Sequence, residues 1–284
     1  MTEAGLAAFV ADWQPGPIDA HDVISAERAA QLAATLDLET APGAGDPLPL
    51  LWQWVHFLDW PRTEELGPDG HPRNGHFLPP IPHRRRMFAG GRLAVTEPLI
   101  IGEPAMRHSE VLKTAVKHGR TGELLFVTVR HTYRQGDAVR IVEEQDLVYR
   151  SDDGASTPFA RVSAPLPPPQ TPWVEHPQTH PALLFRFSAL TGNAHRIHYD
   201  EAYTTSTEGF PALVVHGPLL AVYLAELVRA KVPDRAIGDF TFRLQKPVFV
   251  GDDIRVQGTP GDPIELAVVS GAGDVHASAT ATLG

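Results

Sequence analysis

The stretch HGPLLAVYLAELVRAKVP, residues 216–233, most limits how this chain of 284 residues can fold. Gly217 suits a helix N-cap, Pro218 fits the first helical position, and Pro233 lies just beyond the predicted end. The apolar side chains point almost all round the axis: Leu219, Leu220, Val222, Tyr223, Leu224, Leu227 and Val228. Such a helix is stable only when other structure surrounds it. The strand-like text that follows, beginning DFTFRLQKPVFVGDD, predicts an antiparallel sheet wrapped around it.

Composition excludes several kinds of site and partner. The chain has no Cys, which excludes disulfides, thiolate metal ligands and Cys nucleophiles. Its 34 acidic and 24 basic side chains give a net charge of −10, whereas a nucleic-acid footprint requires a basic face. No uncharged apolar run is long enough to span a bilayer, and the first residues lack the basic segment of a signal peptide. We therefore expect a cytoplasmic protein that binds neither nucleic acid nor membrane.

A Pro-rich stretch divides the chain, because seven of the 17 positions from Pro165 to Pro181 are Pro. Such a stretch runs extended and can form neither a helix nor a central strand. Before it, residues 92–150 are rich in β-branched and aromatic residues, and EPLIIGE there is echoed by KPVFVGD after it. We expect residues 1–164 to form an N-terminal half with a helical extension, residues 165–181 a linker, and residues 182–284 the half with the reactive residues.

The densest group of reactive side chains lies in TGNAHRIHYD, residues 191–200, part of the stretch LLFRFSALTGNAHRIHYDEAY, residues 183–203, which we expect to be irregular in structure. Its polar members are Asn193, His195, Arg196, His198, Tyr199 and Asp200, and His216 follows in VVHGP. Three interpretations are open: an ordered polar loop, a metal site using H-x-x-H-x-D, or an acid/base site. The zinc motif HExxH and the serine-hydrolase motif GxSxG are both absent from the sequence.

These segments resemble the catalytic signature of the MaoC-like, type 2 enoyl-CoA hydratases. The signature runs Gly, Asp, any residue, Asn, Pro, Ile, His; here Gly192 and His198 are kept, but Asn193, His195 and Arg196 replace Asp, Asn and Pro. With RRRMFAGG, HGRTGELLFVTVRH and EEQDLVYR upstream, this variant resembles the branch of mesaconyl-C4-CoA and itaconyl-CoA hydratases. The mitochondrial type 2 hydroxyacyl-thioester dehydratase is similar. The resemblance implies an α+β double hotdog, an antiparallel sheet wrapped around a buried helix.

The resemblance also implies a function: a hydro-lyase that adds water reversibly to an α,β-unsaturated acyl-CoA. The branch indicates a dicarboxylic substrate, mesaconyl-C4-CoA or itaconyl-CoA, with citramalyl-CoA as the product. No cofactor or metal is expected, since CoA is part of the substrate, and a homodimer is left open. Three alternatives stay open as well: a 3-hydroxyacyl-ACP or -CoA dehydratase of straight chains, a non-catalytic acyl-CoA-binding protein, and a hotdog thioesterase.

Three residues are expected to carry the chemistry. His198 is suited to taking a proton and returning it, because imidazole titrates near neutral pH. Asn193 exchanges no proton in this range but can hold and orient a water molecule. The amide of Gly217 opens the buried helix, where unsatisfied N–H groups and the helix dipole stabilise a negatively charged thioester oxygen.

The remaining candidates are expected to bind substrate. Arg196 is the candidate for the free carboxylate of a dicarboxylic acyl group. The basic run Arg84, Arg85 and Arg86 is either a solvated loop or a clamp for CoA phosphates, for which Arg85 and Arg86 are favoured. His195, Tyr199 and His216 are expected to line the same site.

Overall fold

The computed structural model describes residues 5–119, 122–151, 159, 161 and 164–284. Ten strands form one sheet: β1 Ile18–Val23, β2 Arg84–Val95, β3 Pro104–Gly119, β4 Gly122–Gln135, β5 Ala138–Ser151, β6 Trp173–Glu175, β7 Ile237–Leu244, β8 Ile254–Thr259, β9 Ile264–Ser270 and β10 Val275–Leu283. The helices are α1 Leu6–Val10, α2 Ala26–Thr35, α3 Pro181–Thr191, α4 Glu201–Ser206 and α5 Gly217–Lys231. None of the helices in the described ranges is both long and apolar enough to cross a membrane.

The strands pair antiparallel throughout, in the order β1-β3-β4-β5-β2-β7-β10-β9-β8-β6. Strands from residues 18–151 thus lie on one side of the sheet and strands from residues 173–283 on the other. The two sets meet where β2 pairs with β7, with Leu93 opposite Phe240. The predicted antiparallel sheet is confirmed, and this junction makes it continuous.

Helix α5 is enclosed, as its all-round apolar pattern predicts. Its buried side chains are Leu219, Leu220, Ala221, Val222, Leu224, Ala225, Leu227 and Val228. They pack against β6, β7, β8, β9 and β10, while Trp52 of the first half donates its indole N–H to Glu226 at 2.9 Å. The helix begins at Gly217 with His216 as its N-cap, one residue earlier than expected, because Gly217 is already helical.

The segment around the reactive residues is more regular than expected. Helix α3 is capped by His180, whose ring Nδ1 accepts the amide of Leu183, and it ends at Gly192 with φ 62°. A 3₁₀ turn follows at Arg196–His198, and then Asp200 caps α4 by accepting the amide of Tyr203. Local caps therefore build this segment, which the expectation of an irregular loop missed.

The Pro-rich stretch contributes a strand rather than only a connection. Trp173–Glu175 forms β6 and pairs with β8 at the edge of the sheet. These three residues are not Pro, so they have the backbone N–H groups that strand pairing requires. An edge position tolerates the prolines on either side. The proposed boundaries at residues 164 and 182 stay a prediction.

The echo between EPLIIGE and KPVFVGD has a structural counterpart. Ile100 in the first motif forms an isolated antiparallel bridge with Pro47, and Phe249 in the second forms one with Val214. Beyond Val214 the chain enters α5, whereas beyond Pro47 it makes only the short 3₁₀ helix Trp52–Val55. The two halves share this backbone arrangement, but α5 has only a short turn as its counterpart in the first half.

The junction of β2 and β7 supplies a test of the fold. Gly90 has φ +152°, and a Cβ there would lie 2.3 Å from the backbone oxygen of Phe242. Gly90→Ala should lower the free energy of unfolding by about 2 kcal/mol or more, because the backbone of Phe242 cannot move away from the added Cβ without breaking the pairing of β2 with β7. Gly238→Ala in β7 is the control, since its Cβ would meet nothing closer than 3.5 Å. Urea unfolding of both variants measures the difference, and equal losses would contradict this account.

Candidate active site

His198 is buried at the centre of the predicted site, with 7 % of its surface exposed. Its Nδ1 lies 2.7 Å from the carbonyl oxygen of Val214. A carbonyl can only accept, so Nδ1 carries the proton and Nε2 keeps its lone pair. The Val214 carbonyl is held because its neighbours Leu213 and Val215 bond to the backbone of residues 248–250. The tautomer of His198 is therefore set by the same bridge that leads into α5.

Burial makes His198 a neutral base. Desolvation lowers its pKa to about 4, and the hydrogen bond to Val214 only partly opposes this. No residue in the described ranges makes a hydrogen bond with Nε2. The ring can therefore accept a proton from a bound molecule at neutral pH.

His216 stacks on His198, with ring centroids 3.6 Å apart and planes 19° apart. It is fully buried, and its Nε2 lies 2.8 Å from the hydroxyl of Ser188 in α3. Burial, and then the nearby His198, lower the pKa of His216 well below its usual range. It is thus a neutral ring that holds one face of His198.

The N-terminus of α5 lies beside this stack, because Gly217 follows His216 directly. The Gly217 amide has no backbone or side-chain acceptor within the described part of the chain. A Cβ at this position would come within 2.5 Å of the Leu244 side chain. Glycine is therefore the residue that fits at this position. Its N–H group, which has no acceptor among the described residues, lies at the positive end of the helix dipole.

Asn193 and His195 lie on the loop between α3 and the 3₁₀ turn. The side-chain oxygen of Asn193 accepts the backbone amide of His195 at 3.1 Å, while its Nδ2 has no partner among the residues described. The ring of His195 lies edge-on to His198, with centroids 5.6 Å apart. Asn193 is therefore a turn-forming residue with one free donor, and His195 is a second imidazole next to His198.

A loop of the first half brings two further groups to the site, Asp69 and His71. The Nδ1 of His71 lies 2.9 Å from an oxygen of Asp69, whose other oxygen accepts the His71 amide at 3.0 Å. The His71 ring stacks on His195 with centroids 4.0 Å apart. Sequence reasoning missed this pair; the signal was GPDGHPRNG, where Asp and His stand two residues apart in a Gly-rich turn.

Backbone contacts hold this loop, residues 67–73, against the signature. The Arg196 amide donates to the Asp69 carbonyl at 2.8 Å, and a bond within the loop, from the Gly67 amide to the His71 carbonyl at 2.7 Å, fixes the shape of the loop. Gly70, with φ +89°, lies so close that a Cβ would stand 1.9 Å from the Ala194 oxygen. Only a glycine allows this approach.

Burial also dominates the titration of these groups. Desolvation lowers the pKa of His71, although its bond to Asp69 opposes the shift. Desolvation and the neighbouring His71 lower the pKa of His195 to about 2. For Asp69, desolvation raises the pKa, but the hydrogen bonds from the ring and the amide of His71 outweigh it and bring the value to about 2. At neutral pH the loop presents an ionised carboxylate and neutral rings.

The metal interpretation was framed on H-x-x-H-x-D, and these residues do not converge. Asp200 caps α4 and pairs with Arg196, while His198 uses Nδ1 on Val214. A different group, Asp69, His71 and His195, has potential ligand atoms within 4.8 Å of one another. Asp69 already accepts from His71, so that group is satisfied internally.

Two predicted binding residues lie on the outside of the loop. Both Nε and Nη2 of Arg196 donate to Asp200, at 3.0 and 2.7 Å, and its Nη1 donates to the Pro68 carbonyl. Its guanidinium also lies over the Tyr203 ring at 4.1 Å. Tyr199 is 44 % exposed, and its hydroxyl donates to the Ala194 carbonyl. Their contacts brace the loop, and their role in binding substrate stays a prediction.

The three arginines of the basic run lie at the start of β2 and face different surroundings. Arg84 and Arg86 line a cavity together with His71. Arg85 does not line this cavity, and its guanidinium lies 3.6 Å from a carboxylate oxygen of Glu208. The structure thus separates Arg85 from Arg86, which sequence reasoning had assigned to one clamp.

Comparison with known sequences matches the chain to a dehydratase family and to a hydratase. Residues 51–250 match the family of type 2 hydroxyacyl-thioester dehydratases. The chain is 46 % identical over 266 residues to a mesaconyl-C(4)-CoA hydratase of Chloroflexus aurantiacus, covering 93 % of this chain and 94 % of that protein.

Solved structures are similar to this fold at low sequence identity. A MaoC-like dehydratase from Phytophthora capsici has a TM-score of 0.63 at 14 % identity, with 98 % of each chain covered. The protein HtdX of Mycobacterium tuberculosis has a TM-score of 0.63 at 17 % identity, covering 94 % of this chain and 99 % of that one. These likenesses confirm the predicted hotdog architecture.

The docking of loop 67–73 can be tested with two glycines that have the same φ angle. Gly70 and Gly45 both have φ +89°, but a Cβ on Gly45 would meet nothing within 4 Å. Either alanine variant bears the left-handed strain of about 1–2 kcal/mol. Only Gly70→Ala should displace the loop, and hydrogen exchange at the Arg196 amide should then accelerate by about tenfold or more. Unchanged exchange in Gly70→Ala would show that the docking is unimportant.

Proposed function

Because the chain belongs to the family of type 2 hydroxyacyl-thioester dehydratases, we propose that it is a hydratase of an α,β-unsaturated acyl-CoA. One observation carries the proposal. A buried, neutral imidazole with an available Nε2, that of His198, lies beside a helix N-terminus with an available amide, that of Gly217. Hydration of a conjugated thioester requires a base for water and a donor for the thioester oxygen.

The proposed substrate is a branched dicarboxylic acyl-CoA. The 46 % identity to a mesaconyl-C(4)-CoA hydratase over nearly the whole chain supports mesaconyl-C4-CoA, with citramalyl-CoA as the product. Itaconyl-CoA is the other substrate of the branch and leads to the same product, but its double bond ends in a methylene group and is not conjugated with the thioester, so it has to isomerise to mesaconyl-C4-CoA before this reaction. Dehydration of a 3-hydroxyacyl thioester is the same reaction in reverse, so the family's description agrees with either direction.

The mechanism we propose uses one base twice. A water molecule donates a hydrogen bond to Nε2 of His198 and attacks the β-carbon while the ring takes its proton. The electron pair of the double bond moves to the α-carbon and the thioester oxygen, where the amide of Gly217 donates a hydrogen bond. His198 then returns the proton to the α-carbon, and the ring is neutral again. Atoms and charges balance without a cofactor beyond the CoA of the substrate.

Asn193 has the supporting role in this mechanism. Its side-chain oxygen already accepts the His195 amide, so its free Nδ2 group is the one that can hold the water. Because Asn193 exchanges no proton, the proton of the water passes to His198. The stacked ring of His216 keeps His198 in a single orientation.

Location and assembly belong to the same proposal. A CoA thioester as substrate supports a cytoplasmic location. A homodimer is supported by the exposed apolar side chains Ile18 and Val23 on β1, which lies at one edge of the sheet. Light scattering of the purified protein would measure its mass in solution.

The proposed function is tested by mixing the protein with a panel of enoyl-CoA esters and following the loss of ultraviolet absorbance of the conjugated thioester. We expect turnover of mesaconyl-C4-CoA at a higher kcat/KM than crotonyl-CoA, whereas turnover of itaconyl-CoA has to be followed by chromatography because its thioester is not conjugated. Binding of these esters without hydration of any of them would favour a non-catalytic acyl-CoA-binding protein. Release of free CoA instead would favour a thioesterase.

Removing the base should remove most of the activity. His198→Ala should lower kcat by about 10²–10⁴-fold, the usual range for a positioned proton-transfer group. In the unaltered enzyme, kcat/KM should fall as the pH decreases through about 4, because protonation of His198 removes the base. His276→Ala is the control, since His276 is equally buried but bonds to Ser270 away from the site. Near-normal turnover by His198→Ala would disprove the assignment.

Removing the water's support should also impair turnover. Asn193→Ala should lower kcat/KM by about 10²-fold, because a misplaced water loses the advantage of proximity. Asn74→Ala, in an exposed position, is the control. Asn193→Asp should introduce a second titrating group and so change the shape of the pH profile of kcat/KM. In Asn193→Ala, the decrease of kcat/KM at low pH that protonation of His198 causes should remain. Full activity in Asn193→Ala would mean that another group holds the water.

A further inference from the structure

We propose that the cavity beside His71 receives the free carboxylate of the acyl group, and that Arg86 is the residue that binds it. This inference rests on the proposed hydration of a dicarboxylic acyl-CoA and names where its second carboxylate lies. It replaces Arg196, the residue that sequence reasoning had favoured, with Arg86, an exposed residue of β2 that lines a cavity.

The cavity has a volume of about 330 Å³, which is within the range of small-ligand sites. Its wall combines apolar residues with the polar or charged residues Asp69, His71, Arg73, His83, Arg84 and Arg86. The one carboxylate in this wall, that of Asp69, is occupied by the ring and amide of His71. The cavity therefore favours an anion.

Arg86 is the guanidinium best placed to meet that anion. Arg84, on the same face of β2, donates its Nη1 to the Pro79 carbonyl at 2.9 Å and its Nη2 to the Arg73 carbonyl at 2.7 Å. Those bonds shape the wall of the cavity. Around Arg86, by contrast, the described residues place no carboxylate within ion-pair distance. A positive charge that lines a cavity without an acidic partner suits a carboxylate ligand, which two parallel N–H bonds can hold.

The cavity lies close to the reacting groups. His71 forms part of its wall, His195 stacks on His71 with centroids 4.0 Å apart, and His198 follows at 5.6 Å from His195. The charge of Arg86 is among the causes that lower the pKa of both His71 and His195, after burial. Arg86 is therefore near enough to act on a group attached to the acyl chain.

The position of the cavity beside His71 and His195 favours the acyl carboxylate over the phosphates of CoA as its ligand. In a four-carbon diacid the free carboxylate lies only a few bonds from the thioester carbon. The diphosphate of CoA is separated from the thioester by the whole pantetheine arm. With the thioester oxygen at Gly217 and the β-carbon at His198, the free carboxylate, which is bonded to the β-carbon in mesaconyl-C4-CoA, lies beside His198, and the cavity adjoins this position through His195 and His71.

The consequence is discrimination between acyl groups. A dicarboxylic substrate places its second charge against Arg86 and compensates for the water removed from both ions. A substrate such as crotonyl-CoA has an uncharged methyl group there and leaves Arg86 without a partner. The effect of removing Arg86 should then depend on the substrate, whereas loss of a CoA contact would affect every acyl-CoA alike.

The test compares two substrates on four variants. With Arg86→Leu, kcat/KM for mesaconyl-C4-CoA should fall by about 10²-fold or more, since a charge-assisted bidentate contact is lost. The value for crotonyl-CoA should change by less than about threefold. Arg86→Lys should recover part of the loss, because the charge returns without the planar fork. Arg92→Leu, in the same strand but outside the cavity, should leave the ratio of the two substrates unchanged.

Arg196→Leu separates the two candidate arginines. Because Arg196 braces the loop through Asp200 and Pro68, its loss should reduce hydration of both substrates by a similar factor. A loss confined to the dicarboxylic substrate in Arg196→Leu would overturn the assignment to Arg86. So would an equal loss on both substrates in Arg86→Leu, which would assign Arg86 to CoA or to the fold.

A binding measurement keeps the inference independent of turnover. Succinyl-CoA and butyryl-CoA are saturated and differ in one carboxylate, so calorimetry can compare them as unreactive ligands. The unaltered protein should bind succinyl-CoA more tightly, and Arg86→Leu should abolish that preference while still binding butyryl-CoA. Retention of the preference would refute the inference. If the unaltered protein hydrates no enoyl-CoA, the proposed function fails; if it hydrates crotonyl-CoA without this preference, only the inference fails.

Discussion

The burial of α5 on every side is the constraint on which the rest of the structure depends. An all-round apolar helix has to be surrounded, and the strands β6 to β10 do this. Its first turn is then also inside the protein, so unsatisfied amides that would otherwise meet water face the interior. The stacked rings of His216 and His198 lie at that end. The position of the site therefore follows from the packing of one helix.

Desolvation sets the chemistry at that position. His71, His195, His198 and His216 all have lowered pKa values, and burial is the largest cause for each. Four imidazoles in close proximity would repel one another if protonated, and burial prevents this. The site thus works with neutral rings, while its positive potential comes from the helix N-terminus and from Arg86. Basicity and charge are supplied by different groups.

The parts of the site that could be predicted are those that local sequence determines. The helix pattern predicts α5, and the resemblance of the signature to that of the type 2 hydratases predicts that His198 and Gly217 belong to one site. Asp69 and His71 could not be predicted, because the contact between residues 67–73 and the signature is long-range and depends on Gly70 fitting against Ala194.

Two other differences between the sequence-based expectations and the structure have identifiable causes. The pairing of Arg196 with Asp200 has the i, i+4 spacing of a local ion pair, which competes with substrate for the guanidinium. Helix α3 was missed because apolar residues lie on more than one side: Leu184 and Phe187 are buried, but Phe185 is exposed.

The short 3₁₀ helix Trp52–Val55, which takes the place of a second long helix, has a wider consequence. The chain that follows it is not used to fill the first half and is free to reach the second, where loop 67–73 meets the signature. Two equal halves would offer two equal centres, but in the arrangement proposed above the first half selects the acyl group and the second half carries the reacting groups. Evolution can therefore retune which molecule is accepted by altering the first repeat alone, while the catalytic signature in the second stays untouched.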